Sequence, residues 1–346
     1  MPTPLTIVKR EPFNAETGPG MLEPDLTPTP AFYVRCHFPL PHPHDMPDTL
    51  SVGGSVERPL EFSLDELRGL GARSVVSTME CAGNGRTALA PLPGGEPWQT
   101  NAVATARWTG VPLQAVLERA GLRSSTREVL AAGLDHGQPE DAPAPLPYER
   151  ALPLDKALDP DTLLAWDMND APLTSEHGGP LRLVVPDWYG MASVKWLTRL
   201  EAREEPFQGY YQAQRYVYDL ADGSAVTPVS QMRVKSLIIS PADRAHVGQE
   251  PITIRGRAWS GEAPIARVEV STRGGEFWDE AHLLGAPSAH AWTAWEYTWH
   301  PPAPGRHALR VRATDAAGNQ QPDVGRWNRH GYGSNAVRVH VLEVDG

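Results

Sequence analysis

The sequence predicts an α+β protein, with a mixed α/β amino-terminal domain over residues 1–228 and an all-β, immunoglobulin-like sandwich over 229–346. Three observations carry this. Proline is abundant, 35 of 346 residues, against a usual share of about 5%, which favours extended segments and rigid turns over long helices. Up to about residue 228, helical and extended patterns interleave. From about Val234 onward, short runs of alternating apolar and polar residues recur with turn residues every 8 to 12 positions, the signature of an antiparallel sandwich.

In chain order, "FSLDEL" from Phe62 and "LQAVLERA" from Leu113 place apolar residues at i, i+3 and i+4 and predict amphipathic helices. The runs "RSVVSTM", "EVLAAGL", "TLLAWDM" and "LRLVVP", bounded by Gly, Pro or Asp, predict buried strands. "HGQPEDAPAPLPYERALP", residues 136–153, reads as a proline-rich surface loop. The second domain offers "VKSLIIS", "ITIRGRAWS", "IARVEVST", "WTAWEYTWH", "HALRVRATD" and "AVRVHVLEV" as strands. No repeat or low-complexity segment interrupts either part.

Composition removes several classes of function. Forty per cent apolar and 21% charged residues describe a globular chain. A formal net charge of −11 disfavours nucleic acid, which needs a basic surface, and an anionic substrate would need a local cationic pocket. Two cysteines, Cys36 and Cys81, make no disulfide framework. "MPTPLTIVKREPFN" lacks the apolar core of a signal peptide and any twin-arginine pattern, and no run approaches the roughly 20 apolar residues of a membrane span. The expected location is cytoplasmic, with no membrane partner.

"STMECAGNGR", residues 77–86, sets Cys81 among small residues with Arg86 close behind. Three readings compete. A lone cysteine is most often a small buried hydrophobe. Gly83 to Ala88 also spells a dinucleotide fingerprint, but Pro91, Pro93 and Pro97 forbid the helix that it requires, and no acid follows at the right spacing. As a thiolate, assisted by the cation of Arg86, Cys81 suits a soft metal that arrives already chelated. His42, His44 and Asp45 invite a zinc reading with Cys36 and His37, yet such proline-rich histidine runs are more often solvated turns.

"CAGNGR" resembles the C-x-G-N-R-R segment of the sulfite oxidase family of molybdenum-molybdopterin enzymes. "FNAE", "FYVRCHFPLP", "ARWTGVPL", "HGGPLRLVVPDWYGMASVKW" and "QGYYQAQRY" fall in the family's order. "RAWSG", "RATDAAGNQQP" and "WNRHGYGSNAVR" resemble its carboxyl-terminal dimerisation domain, so the likeness covers nearly the whole chain. It implies a molybdopterin-binding catalytic domain, a homodimer, and no haem in this chain. The implied reaction is oxygen-atom transfer that turns sulfite into sulfate, with electrons passed to an external acceptor such as cytochrome c or oxygen.

The resemblance assigns Cys81 as the protein ligand to molybdenum. It places Tyr33, Val34, Arg35, Cys36 and His37, then Asp135, His177, Arg182, Ser193, Val194 and Lys195, at the cofactor, although Cys36, between Arg35 and His37, should itself turn into packing. Arg182 and Lys195 suit a phosphate. Arg35, Arg86, Trp98, Tyr216 and His330 fall at the substrate pocket, where arginines match oxyanions and Trp and Tyr offer neutral donors. Trp98 is as readily a core residue.

Two departures stand out. Gly85 occupies the place of a family arginine, and His330 stands where a substrate arginine normally precedes glycine. A histidine titrates near neutrality, so sulfite affinity is expected to fall as pH rises through His330, unless Arg329 takes over. The alternatives are a related molybdoenzyme that reduces nitrate or a sulfoxide, and a non-catalytic binding protein that uses its β-sandwich.

Overall fold

The computed structural model describes residues 3–219 and 226–346. Strands dominate both parts. Among the described residues the α-helices are Leu64–Gly69, Leu113–Ala120 and Leu154–Ala157, none longer than eight residues. The expected mixed α/β character of the first domain is therefore corrected to a strand-rich one with few helices. Prolines at short intervals leave little room for more. No described helix is long and apolar enough to cross a membrane.

Both predicted helices form. Leu113–Ala120 buries Leu113, Val116, Leu117 and Ala120, the face its spacing predicted, and Gly121 ends it at φ 72°. Ser63 and Glu66 close a capping box on Leu64–Gly69, an arrangement worth about 1 kcal/mol.

Two five-stranded sheets frame the first domain. One runs Leu60–Ser63, Thr49–Gly54, Leu197–Arg203, Glu128–Gly137, Leu146–Pro153, with Leu197–Arg203 parallel to Thr49–Gly54. The other joins Arg73–Glu80, Val103–Pro112, Leu163–Met168 and Ala171–Pro172, with Arg182–Val184 also on Leu163–Met168. The segment read as a loop over 136–153 is corrected at both ends. Glu128–Gly137 continues through His136, and Leu146–Pro153 pairs with it from Glu128↔Pro153 to Gly137↔Leu146. Pro147 and Pro153 sit on a strand with one free edge, where a missing N–H is tolerated.

The six strands read in the second part all form, as Lys235–Ser240, Ile252–Trp259, Ile265–Ser271, Thr293–Trp299, Gly305–Asp315 and Val339–Val344. With shorter strands they make a four-stranded and a five-stranded sheet over a core that includes Ile254, Val268, Val311 and Trp295. A larger core crosses between the parts: Val229, Met232, Trp259, Trp292 and Tyr332 pack with Leu22, Trp166 and Tyr216.

Candidate active site

Cys81 follows the last residue of Arg73–Glu80, where the chain leaves the sheet and turns. The turn is held by Asn84 N–H donating to Cys81 O at 2.9 Å and by Cys81 N–H donating to Ala102 O at 2.8 Å. Gly85 adopts φ 89°, a conformation that L side chains rarely take. A Cβ on Gly83 would lie 2.6 Å from the Arg86 guanidinium. The two glycines thus let the turn close with Arg86 laid against its own backbone.

Cys81 faces two cavities. The larger is lined by Tyr33, Arg35, His37, Cys81, Asp135, His177, Arg182, Ser193, Lys195 and Tyr216 among others. The smaller shares Arg35, His37, Cys81 and Tyr216 and adds Arg86, Trp98, Arg215 and Tyr332. The cysteine is not walled off by aliphatic groups. Burial pushes its thiol up, opposed by Arg35, the Gly83 amide and Arg86, so the thiol-lowering effect expected of Arg86 is outweighed in this state.

Of the residues placed at the cofactor, Val34 and Cys36 pack with Trp196 in a separate small core, and Val194 lies in the main core. Their side chains do not line the cavity, so the assignment of Val34, Cys36 and Val194 is corrected to one in which only backbone contact is open to them. Strand alternation explains it, since Arg35 and His37 take the opposite face. Cys36 still matters indirectly, because Lys195 Nζ donates to its sulfur at 3.1 Å and to Glu176 O at 2.9 Å.

The larger cavity is built for a polar guest. The Asp135 side chain is buried, its Oδ1 has no partner, and burial raises its carboxyl to about 7. Arg182 donates to His177 O at 2.8 Å and Ser193 O at 3.2 Å and lies over the Trp108 ring; burial lowers its guanidinium to about 10. Burial likewise lowers His177 to about 3 and depresses Lys195. An unpartnered buried acceptor beside a guanidinium and an ammonium fits a heterocycle with N–H groups and an anionic tail. These residues fit molybdopterin, and Cys81 between the two cavities is the side chain that could give its metal a thiolate.

The smaller cavity gathers three guanidinium groups around the cysteine. Arg86 is buried and spends Nε on His330 O at 3.0 Å and Nη1 on Glu96 O at 2.5 Å, while it lies over the Tyr332 ring. Tyr216 is stacked on Tyr332 with centroids 4.9 Å apart. Trp98 is both things expected of it, a 1% exposed core residue and a wall of this cavity. Glu96 enters the lining too, but its carboxylate is paired with Lys9 at 3.3 Å.

His330 is the substrate-pocket assignment that the structure corrects. It is half-buried, stacks on Tyr332 at 5.5 Å, receives Arg329 Nε at 3.1 Å, and lines neither cavity. Burial, then Arg215 and Arg329, lower it to about 4. Its backbone oxygen, not its ring, serves the site. Arg329 pairs with Asp219 at 3.2 Å. Among the described residues no three His, Cys, Asp or Glu side chains converge as a metal site.

Among the lining residues that escaped the sequence reading are Arg215, Tyr148 and Tyr332. Arg215 sits at the end of a single π-helical turn, Tyr210–Arg215, which brings it to the same cavity as its neighbour Tyr216. Tyr148, in the segment misread as a loop, stacks on His37 at 4.4 Å. Tyr332 stood unused in "WNRHGYG", two residues past the histidine given the role.

Comparison with known proteins agrees with this geometry. Residues 37–211 match the oxidoreductase molybdopterin binding domain, and residues 226–343 match the Mo-co oxidoreductase dimerisation domain. The mitochondrial sulfite oxidase of Rattus norvegicus is 36% identical over 366 residues, covering 98% of this chain and 66% of that protein, so the chain spans just under two thirds of its length. The NADH nitrate reductase of Spinacia oleracea is 30% identical over 99% of this chain but only 41% of its own. The sulfane dehydrogenase SoxCD from Paracoccus pantotrophus superimposes with a TM-score of 0.87 at 27% identity, over 99% of this chain and 90% of that one. With the cysteine turn, the polar cavity and both domain matches in agreement, the chain belongs to the sulfite oxidase family of molybdenum-molybdopterin oxidoreductases and carries that family's dimerisation domain.

Proposed function

We propose that this chain is a molybdenum-dependent enzyme that oxidises sulfite to sulfate and passes the electrons to an external acceptor such as cytochrome c or oxygen. The observation that carries this is one cysteine shared by a polar cavity fit for the cofactor and an adjoining cavity lined by Arg35, Arg86 and Arg215. When bound, molybdenum-molybdopterin supplies the transferred oxygen atom and takes up the electron pair.

The residues do the rest. Arg35, whose Nη1 donates to Asn14 Oδ1 at 3.3 Å and to Cys36 O, and Arg215, whose Nη1 pairs with Asp141 at 3.3 Å, keep their remaining guanidinium N–H groups for the oxygens of a small dianion, and they offset the −11 charge of the chain locally. Arg86, committed to two carbonyls, adds charge and fixes the wall. Tyr216, whose phenol is held protonated by burial, is a neutral donor beside them. Asp135, Arg182 and Lys195 anchor the cofactor's polar edges. The Mo-co dimerisation match, which begins at residue 226, supports a homodimer and a division close to the proposed 228/229, and the two facing sheets support the immunoglobulin-like reading. A cytoplasmic location remains part of the proposal.

Metal content and turnover test it. Cofactor-replete protein should hold about one molybdenum per chain and reduce ferricyanide with sulfite, and Cys81→Ser should lose both. Protein without molybdenum, or a Cys81→Ser variant that retains it, overturns the reading. The 30% identity to a nitrate reductase over 99% of this chain favours a second reading within the superfamily, reduction of nitrate or a sulfoxide. Turnover with reduced viologen and these acceptors, without sulfite oxidation, would select it.

A further inference from the structure

A buried ion pair lies directly behind the cysteine turn. Lys235 Nζ donates to Glu80 Oε1 at 2.8 Å, and each side chain is 2% exposed. Two more donors complete the carboxylate: Asn84 Nδ2 reaches Oε1 at 2.9 Å and Trp259 Nε1 reaches Oε2 at 2.9 Å. Lys235 also donates to Asn84 O at 3.3 Å. Lys235 and Trp259 face each other across an antiparallel pair in the carboxyl-terminal domain, so both project to one side, toward the first domain. Glu80 immediately precedes Cys81, and Asn84 lies inside its turn. The glycine at 85 is part of the fit, since a Cβ there would come within 3.5 Å of Lys235 Nζ and 3.2 Å of Ser334 Oγ. Gly333 N–H closes the other flank on Ala82 O at 2.8 Å.

We infer that Glu80, Lys235 and Trp259 form a positioning clamp by which the carboxyl-terminal domain sets the backbone of Cys81. This rests on the reading of Cys81 as the metal's ligand. A buried pair is tolerated only when its remaining hydrogen-bonding capacity is filled, and breaking one by removing a single partner strands a buried charge. Here the carboxylate has three donors, and the stranded charge would sit one residue from the thiol. The second domain is thus a working part of the first domain's site, with a role independent of self-association.

The test uses full-length protein purified from cells unable to make the cofactor, with iodoacetamide alkylation of Cys81 and Cys36 followed peptide by peptide. Lys235→Met should speed alkylation of Cys81 by about tenfold or more, with Cys36 unchanged, and Glu80→Gln with Lys235→Met should restore much of the protection. In cofactor-replete cells Lys235→Met should lower the molybdenum bound per chain. Should Lys235→Met fail to fold, Trp259→Phe, which removes one hydrogen bond, should show a smaller rise at Cys81 alone. Unchanged Cys81 alkylation, or an equal rise at Cys36, overturns the clamp. Absence of molybdenum from the parent overturns the proposed function but leaves the alkylation result standing.

Discussion

His37 Nε2 lies 2.7 Å from the phenol oxygen of Tyr216, and both side chains line the two cavities that meet at Cys81. Burial, with Arg35 and Lys195 nearby, holds the imidazole well below its ordinary range, so the pair is neutral at physiological pH. A neutral hydrogen-bonded pair should act as a unit. Tyr216→Phe is expected to lower kcat by roughly 10²-fold, the order seen when one donor to developing charge is removed. His37→Phe added to Tyr216→Phe should cost much less than the two single losses combined. Additive losses in this double-mutant cycle would show that the contact is incidental.

Arg215 stands in the cavity that the His330 ring leaves. Arg215→Ala should raise the sulfite KM by about 10- to 100-fold, the range for a charge-assisted hydrogen bond, with a smaller change in kcat. Steady-state kinetics at fixed ionic strength would measure it. An unaltered KM would remove Arg215 from the substrate site.

His330 is lowered to about 4, so it is uncharged throughout pH 6 to 9. The fall in sulfite affinity expected from its titration should not occur in that window. Parent and His330→Gln should give superimposable profiles of KM against pH. A break present in the parent and missing in the variant would restore the charged role.

Asp135 makes a prediction about stability in the cofactor-free chain. Its carboxyl rises from the ordinary range to about 7 on burial, so between about pH 4 and 7 the folded state binds the extra proton and stability falls as pH climbs. Asp135→Asn removes that slope. The variant should match the parent near pH 4 and exceed it above pH 7, by at most about 4 kcal/mol. His177, lowered to about 3, works in the opposite sense and loses stability as pH drops below about 6.5. It is common to both proteins, so the difference between their urea-unfolding curves isolates Asp135. A pH-independent difference would mean that Asp135 is ionised in the fold.

How much the sequence disclosed depended on whether the information was local. Leu113–Ala120 was legible because its buried residues repeat with helical spacing, and the six long strands of the second domain because they alternate. Leu146–Pro153 was hidden by its prolines, which deny a central position but not an edge. The strands Ala245–Val247 and His282–Leu284 are too short to show a period. At the site, alternation put Arg35 and His37 on one face, and both line the two cavities beside Cys81. No local rule could show that His330 would lend its carbonyl to Arg86 from 244 positions away, or that a π-helical turn would bring Arg215 into view beside Tyr216.

The bonds that finish the cysteine turn reach far along the chain: Glu80 waits for Lys235, 155 positions later, and for Trp259, 179 positions later. Contacts of such long range form late, after the loops between them have closed. A ribosome that has released only the first domain therefore holds a chain with its thiol in hand but no finished receptacle. On the clamp proposed above, loading of the cofactor would follow docking of the tail.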